Sequence, residues 1–177
     1  MQELETKRLI LREFKIIDAE DLYEYAKNDL VGPNAGWKPH VNIEESKEII
    51  NMFIEGQESY AIVLKENNKV IGSIGLHERR DSVAKQREVG YVLSPDYWGQ
   101  GIVPEAVNEV LRYGFEDLKL DMIWCAHFDF NHKSKQVCEK CGFTYDHTKE
   151  EVLERLDNKP VTTLFYKMDK SDYKKIQ

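Results

Sequence analysis

The stretch EVGYVLSPDYWGQGIVPEA, residues 88–106, is the most informative part of this chain of 177 residues. Its first part is typical of a β-strand, and its last part begins a run of helix formers. Gly99 and Gly101 stand between the two, and glycine takes backbone angles that other residues avoid. Pro104 suits the first turn of a helix, where its missing N–H costs nothing. The stretch therefore predicts a strand, a tight glycine turn and a helix.

Such a turn has a chemical consequence at the start of the helix. The backbone N–H groups from Gly99 to Val103 have no helical partners, and the helix dipole adds partial positive charge there. Helix ends of this kind attract phosphate. A dinucleotide fingerprint would need a third glycine where Pro104 stands, and the Lys-Ser/Thr pair of a nucleotide triphosphate loop is absent from the stretch. On its own, the pattern favours an ordinary strand-to-helix turn.

The rest of the chain predicts an α/β order without linker, repeat or low-complexity tract. Asp18 is placed to cap the first helix, and the turn-rich residues 31–40 predict a loop. We expect a mixed sheet of about seven strands and about four helices in one domain, residues 1–177. The strands are predicted at residues 8–14, 59–65, 69–78, 87–94, 122–128, 143–156 and 161–168, and the helices at residues 18–28, 44–54, 104–118 and 132–141.

Composition excludes several classes of function. The formal net charge is -7, whereas a protein that binds nucleic acid backbones needs a basic face, so we expect cationic substrates and no nucleic acid. No apolar run approaches the ~20 residues that span a bilayer, and the N-terminus carries no apolar signal segment, which predicts no membrane partner and a cytoplasmic protein. Three cysteines do not form a disulfide framework, as expected for a reducing compartment.

Together with NHKSKQVCEKCGF, residues 131–143, the opening stretch resembles the GNAT superfamily of N-acetyltransferases, and most closely its RimJ/RimL-like branch. The resemblance covers nearly the whole chain, because the element order also matches. It implies a central sheet splayed in the middle and direct transfer of the acetyl group of acetyl-CoA to a primary amine. The acceptor is a protein N-terminus or a small molecule. The alternative is a non-catalytic sensor or scaffold that binds acyl-CoA on the same fold.

The resemblance assigns residues to the cofactor. Gly90 lies inside a predicted strand, where glycine often marks a bulge that separates neighbouring strands. In the family such a slot receives the pantetheine arm. A glycine that only makes room for a side chain is the alternative. The implied cofactor contacts are the main chain at Val92 and Leu93, the pyrophosphate turn at Trp98, Gly99, Gln100, Gly101, Ile102 and Val103, and the side chains of Asn131 and Ser134.

Proton transfer requires a base, since an amine with a pKa near ~10 must lose a proton before it attacks. Glu88 is the first candidate, because it matches a glutamate common at that place in the family; a solvated strand glutamate is the alternative. His40 has a suitable ordinary pKa and, with Trp37, is a candidate to line the acceptor mouth, although a plain loop histidine fits equally well.

The sequence offers several candidates for the general acid. Asn131 and Ser134 also fit a simple helix cap. Many members of the superfamily carry a tyrosine acid where this chain has Cys138, so Ser134, Cys138 or water serves, or the thiolate leaves unaided. Cys138 and Cys141 spell Cys-x-x-Cys, but they fall in the last turn of a predicted helix, where the dipole opposes a thiolate. We predict no metal or redox function, and the chain is a monomer or a homodimer.

Overall fold

The computed structural model of the protein describes residues 1–79 and 85–176. Within these ranges it contains eight strands and six α-helices. The strands are β1 (Leu4–Glu5), β2 (Leu9–Glu13), β3 (Ser59–Leu64), β4 (Lys69–Glu78), β5 (Gln86–Leu93), β6 (Met122–Phe128), β7 (Thr144–Leu153) and β8 (Lys159–Asp169). The helices are α1 (Ala19–Ala26), α2 (Gly32–Ala35), α3 (Ile43–Gly56), α4 (Ile102–Arg112), α5 (His132–Lys140) and α6 (Lys170–Ile176).

The strands hydrogen-bond in the order β1-β2-β3-β4-β5-β6-β8-β7 in one mixed sheet. This confirms the predicted α/β class, and every predicted strand and helix is present. The short elements β1, α2 and α6 are additional. Such short segments carry too few residues for a periodic pattern, which is why the sequence did not predict them.

The chain divides into two compact units, and β4 and β5 each contribute residues to both. The first unit comprises residues 1–75 and 91–106. Its strands β1 to β4 pair antiparallel in chain order, with Leu11 opposite Ile62. Apolar residues of these strands pack with α1 and α3, and the core includes the fully buried Phe14, Val63 and Ile50. The apolar spacing predicted for both helices therefore does face a core.

Two local predictions in the first unit need correction. Asp18 stands at the N-cap position of α1, but its carboxylate does not cap the helix. It accepts hydrogen bonds from the Arg12 guanidinium at 2.8 and 2.9 Å and from the Lys15 N–H at 2.8 Å, because a buried carboxylate is stabilised most by a charged partner. The predicted loop 31–40 contains the one-turn helix α2, whose C-cap residue is Gly36 with a φ of 93°.

The second unit comprises residues 76–90 and those from 107 onward. Strand β5 pairs parallel with β6, and β8 pairs antiparallel with both β6 and β7. Helix α4 continues into a π turn, Tyr113–Asp117, and packs closely on β6, since a Cβ at Gly114 would lie 2.6 Å from Ile123 Cδ1. Among the described residues, the pairing of β5 with β6 ends at Val89, one residue before Gly90, where the sequence predicts the strands to separate.

No helix within residues 1–79 and 85–176 has the length and apolar character needed to cross a bilayer.

Candidate active site

The glycine turn, defined here as residues Trp98–Val103, has the backbone that the sequence predicts. Gly99 and Gly101 have φ values of 75° and 73°, in the left-handed region that favours glycine. Helix α4 begins directly after them at Ile102, and the Glu105 N–H donates to the Gly101 carbonyl at 3.2 Å. The amides of Ile102 and Val103 precede that first helical bond, and the first amides of a helix have no partner within the helix.

The space above the glycine turn is open. Among the described residues, a Cβ at Gly99 would meet no atom within 4 Å apart from its chain neighbours. At Gly101, within the part of the chain that the structure describes, a Cβ would meet only Arg8 Nη2, at 3.7 Å. The side chains of Ile102 and Val103 are buried in the core, so these residues can offer a ligand their backbone amides alone. The turn therefore suits an anionic group that approaches the main chain.

Arg8 brings a positive charge to the glycine turn. Its Nη1 donates to the Gln100 carbonyl at 2.9 Å, and its Nε pairs with Glu105 Oε2 at 2.7 Å. Glu105 also accepts from the Arg8 N–H at 2.8 Å and the Thr6 hydroxyl at 2.5 Å. Burial alone would raise the pKa of Glu105, but these hydrogen bonds leave it below its usual value. Sequence reasoning missed Arg8, because nothing local to residues 6–8 indicates a partner on α4.

Strand β5 is anchored just before the glycine turn. The Trp98 indole Nε1 donates to the Leu93 carbonyl at 2.9 Å, so Trp98 holds the turn against the end of the strand. A Cβ at Gly72 would lie 2.3 Å from the Val92 carbonyl oxygen, which shows that β4 approaches the main chain of β5 closely there. The predicted contacts of Val92, Leu93 and Trp98 with a cofactor stay predictions.

Within the described residues, nothing in the structure requires a glycine at position 90. Its φ lies outside the left-handed region, and a Cβ would lie in ordinary contact with the His77 ring, at 3.6 Å. Alanine would therefore fit at this position as far as the protein itself is concerned. The interpretation that Gly90 only makes room for a neighbouring side chain is not favoured.

A second candidate region is the Glu88 cluster, defined here as Arg79, Glu88 and Trp124. Glu88 Oε2 pairs with Arg79 Nη1 at 2.9 Å, and the Arg79 guanidinium carbon lies 4.4 Å from the centre of the Trp124 ring. Trp124 stands opposite Glu88 in the register of β5 and β6. The side chains of Glu88 and Arg79 are 32% and 25% exposed, so the carboxylate is half-buried yet reachable.

The setting of Glu88 favours proton acceptance. Burial raises the pKa of Glu88 above its usual range, and the positive charge of Arg79 and the nearby His77 offset part of that rise. A carboxylate whose pKa moves towards neutrality is a better general base at physiological pH. The sequence indicated Glu88, but its partners are on β6 and at the end of β4, which no local motif predicts.

Trp37 and His40 have structural partners. His40 is buried, its Nδ1 lies 2.8 Å from the Ser46 hydroxyl, and its N–H donates to the Ala26 carbonyl at 3.0 Å. Its ring lies 5.2 Å from that of Trp37. Burial lowers the pKa of His40, with a smaller opposing effect from Glu45. These contacts join the loop to α3 and favour the interpretation of His40 as a loop histidine.

The residues of α5 show a cap and a buried thiol. Asn131 Oδ1 accepts the Ser134 N–H at 3.1 Å, as the simple cap predicts. Cys138 is fully buried, and its Sγ lies 2.9 Å from Cys125 Sγ, so its position is that of a core residue. Burial, and then Cys138, raise the pKa of Cys141 to about 12, contrary to the needs of a redox thiol. Within the described ranges no group of three or more His, Cys, Asp or Glu residues could hold a metal ion.

Comparison with known proteins supplies the family. A family model described as an acetyltransferase (GNAT) domain matches residues 8–144. The uncharacterized N-acetyltransferase YoaA of Bacillus subtilis is 32% identical over 155 residues, 85% of each chain. A GNAT-family acetyltransferase structure from Bacillus anthracis aligns with a TM-score of 0.86 at 23% identity, over 96% of this chain and 99% of that one. A ribosomal-protein-S5-alanine acetyltransferase structure from Vibrio fischeri aligns with a TM-score of 0.77 at 22% identity, over 98% and 99%.

Proposed function

Because this chain belongs to the GNAT acetyltransferases, which are acetyl-CoA-dependent N-acetyltransferases, we propose that it acetylates a primary amine directly. In this proposal Glu88 is the general base and the glycine turn is the phosphate site. The observation that carries the proposal is that one strand, β5, bears Glu88 and leads straight into the glycine turn. We also propose that the chain belongs to the RimJ/RimL-like branch, which residues 88–106 and 131–143 resemble most closely.

The residues that would hold the phosphates fit that role. The amides of Ile102 and Val103, the left-handed glycines and the guanidinium of Arg8 together offer hydrogen-bond donors and positive charge around an open space. Acetyl-CoA supplies the acetyl group as an activated thioester. Gly90, which tolerates a Cβ, is proposed as the place where the pantetheine arm approaches β5, with Asn131 and Ser134 contributing from the start of α5.

Glu88 performs the chemistry that the protein itself must supply. Its carboxylate accepts a proton from the acceptor ammonium group, which leaves a neutral amine able to attack. The departing thiolate takes a proton from water or from Ser134. Cys138 is a weaker candidate acid, because its sulfur is buried against Cys125. Trp37 and His40 remain proposed residues of the acceptor side, in a supporting role.

The acceptor is proposed to be a cation before it reacts, as the net charge of -7 favours. A protein N-terminus and a small-molecule amine both satisfy that chemistry, and the ribosomal-protein acetyltransferase among the structural neighbours supports testing the first. We propose that residues 1–177 act as one cytoplasmic domain, as a monomer or a homodimer, without nucleic acid, membrane or metal.

The test combines binding with product formation. Coenzyme A at ~100 times its dissociation constant should stabilise the fold by about 2.7 kcal/mol, and adenosine monophosphate much less, in a thermal-shift assay. Mass spectrometry of N-terminal peptides and a panel of small amines incubated with acetyl-CoA should then show a mass increase of one acetyl group. A folded protein whose stability does not change with coenzyme A contradicts the phosphate site. Binding without acetylation of any amine would instead support an acyl-CoA sensor.

A further inference from the structure

The proposed base has a partner of its own, and this inference rests on the proposed role of Glu88. We propose that Arg79 is a positioning residue that fixes the place and the proton affinity of the Glu88 carboxylate, and that Trp124 holds Arg79 in position for this task. Arg79 itself does not touch the reacting atoms in this proposal.

The contacts of Arg79 carry the argument. Its guanidinium lies 4.4 Å from the centre of the Trp124 ring and 5.8 Å from that of Phe165, and one edge pairs with Glu88 at 2.9 Å. A planar guanidinium can lie flat on an aromatic face and donate from its edge at the same time, a stacked geometry that the tetrahedral ammonium group of lysine lacks. The charge is therefore fixed beside the carboxylate rather than moving in solvent.

Trp124 is itself held in place. Its Nε1 donates to Gln86 Oε1 at 2.8 Å, and its ring meets the His147 ring edge-on at 6.1 Å. Lys167 Nζ lies 5.8 Å from the ring centre. Because the ring is fixed by neighbours on β5, β7 and β8, it provides a rigid surface for Arg79.

A nearby ion pair, formed by Arg87 and Glu78, lacks the features that distinguish the pair of Arg79 and Glu88. Arg87 on β5 pairs with Glu78 on β4 at 2.9 Å. In this pair the arginine is on β5 and the glutamate on β4, whereas Arg79 follows β4 and its partner Glu88 is on β5. The Glu78 side chain is 73% exposed, and exposed pairs of this kind contribute little. Arg87 also donates to the Leu76 carbonyl at 3.1 Å instead of stacking on Trp124. The Arg87 pair is therefore a matched control.

Other charged groups act on Glu88 without replacing Arg79. His77 on β4 favours the ionised carboxylate, and Glu151 on β7 opposes it. Glu151 is paired with Lys149 at 2.9 Å and accepts from the Thr163 hydroxyl at 2.8 Å. Within residues 1–79 and 85–176, Arg79 is the cation paired directly with Glu88, so its removal should raise the proton affinity of the carboxylate and delay its ionisation to higher pH.

The experiment compares Arg79→Ala, Arg79→Lys and the control Arg87→Ala with the parent protein. The Glu88 carboxyl carbon is followed by NMR titration of ¹³C-glutamate-labelled protein, with Glu88→Gln used to assign its signal. The midpoint of the Glu88 titration should move to higher pH by roughly one pH unit or more in Arg79→Ala and by less in Arg79→Lys. It should not move in Arg87→Ala. The acid limb of the pH profile of kcat/KM should move in parallel.

Chemical rescue tests the role of Trp124. At a pH below the displaced acid limb, Arg79→Ala should be less active than the parent, and millimolar guanidinium chloride should restore part of that loss. The restoration should be much smaller in Arg79→Ala combined with Trp124→Leu. An unchanged Glu88 titration in both Arg79 variants would overturn the inference, and Arg79→Lys decides the matter if the alanine variant does not fold. Full activity of Glu88→Gln would instead overturn the proposed base, while the NMR titration would still report whether Arg79 controls the carboxylate.

Discussion

The glycine turn and the Glu88 cluster are built by opposite means. The turn presents main-chain amides and depends on the absence of side chains at Gly99 and Gly101. The Glu88 cluster is made of side chains, and its properties depend on the charge of Arg79 and on the partial burial of Glu88. Backbone amides do not titrate, whereas a carboxylate does. Substitutions in the first region should therefore change binding, and substitutions in the second should change turnover and its pH dependence.

The largest effect is expected from Glu88→Gln, which keeps the shape of the side chain but removes its ability to accept a proton. Turnover should fall roughly 10²- to 10⁴-fold, whereas the dissociation constant for acetyl-CoA should stay nearly unchanged. Higher pH should restore part of the rate, because more of the amine then arrives deprotonated. Steady-state kinetics and calorimetric binding measure the two quantities separately.

A parallel loss of turnover and of cofactor affinity in Glu88→Gln would show that the Glu88 cluster and the glycine turn do not act separately. Unchanged turnover at neutral pH would assign the base role to another group.

A smaller effect is expected from Gly101→Val, which tests the other region. A β-branched side chain at a φ of 73° costs about 1–3 kcal/mol of backbone strain, and it also occupies the open space above the turn. The KM for acetyl-CoA should rise roughly tenfold or more, since ~1.4 kcal/mol corresponds to a factor of ten, while kcat at saturation changes little.

The matched control for this substitution is Gly56→Val at the end of α3. A Cβ there meets no atom within 4 Å among the described residues, and the φ of Gly56 lies outside the left-handed region. Both variants should be compared on material with a normal melting transition. Equal KM values for the two variants would mean that the glycines of the turn serve only the backbone.

The smallest effect on activity is expected from His40→Asn, because His40 lies outside both the glycine turn and the Glu88 cluster. Asparagine can keep a polar contact with Ser46, so kcat and KM should stay within about twofold of the parent. Because burial lowers the pKa of His40, the folded state prefers the neutral ring. The stability that this ring contributes is present above its unfolded pKa and is lost as the pH falls below it.

Urea denaturation at pH 7 and at pH 5 measures this linkage. The parent protein should lose more stability between these two values than the His40→Asn variant does, since asparagine cannot bind a proton. A large fall in kcat in His40→Asn would instead restore the histidine as a candidate base.

The same two regions explain how much of the molecule could be predicted from the sequence. The glycine turn is a local pattern, in which glycine, proline and the helix formers that follow are neighbours in the chain, so its backbone was predicted correctly. The strands and long helices were predicted for the same reason, because their apolar spacing is also local. The roles of the individual cofactor contacts remain predictions.

What the sequence did not predict comes from contacts between distant residues. Arg8, just before β2, reaches the glycine turn. Arg79, just after β4, pairs with Glu88 on β5 and stacks on Trp124 of β6. Asp18 was predicted to cap α1, but Arg12 on a neighbouring element takes its carboxylate. In each case a charged side chain pairs with a group that is distant in sequence but close in the folded structure. The spacing of residues along the chain does not predict such pairs.

The bond between Arg8 and Glu105 also constrains the order in which the protein is assembled during synthesis. The two residues are separated by 97 positions. At about 5–20 residues per second, a ribosome needs roughly 5–20 s to add the acidic partner after the arginine. Until then the arginine has no carboxylate from α4, and the turn that follows β5 does not yet exist in the nascent chain. Under the proposed function, the phosphate site thus becomes complete only after the strands β1 to β5 and the helices α1 to α3 have been made.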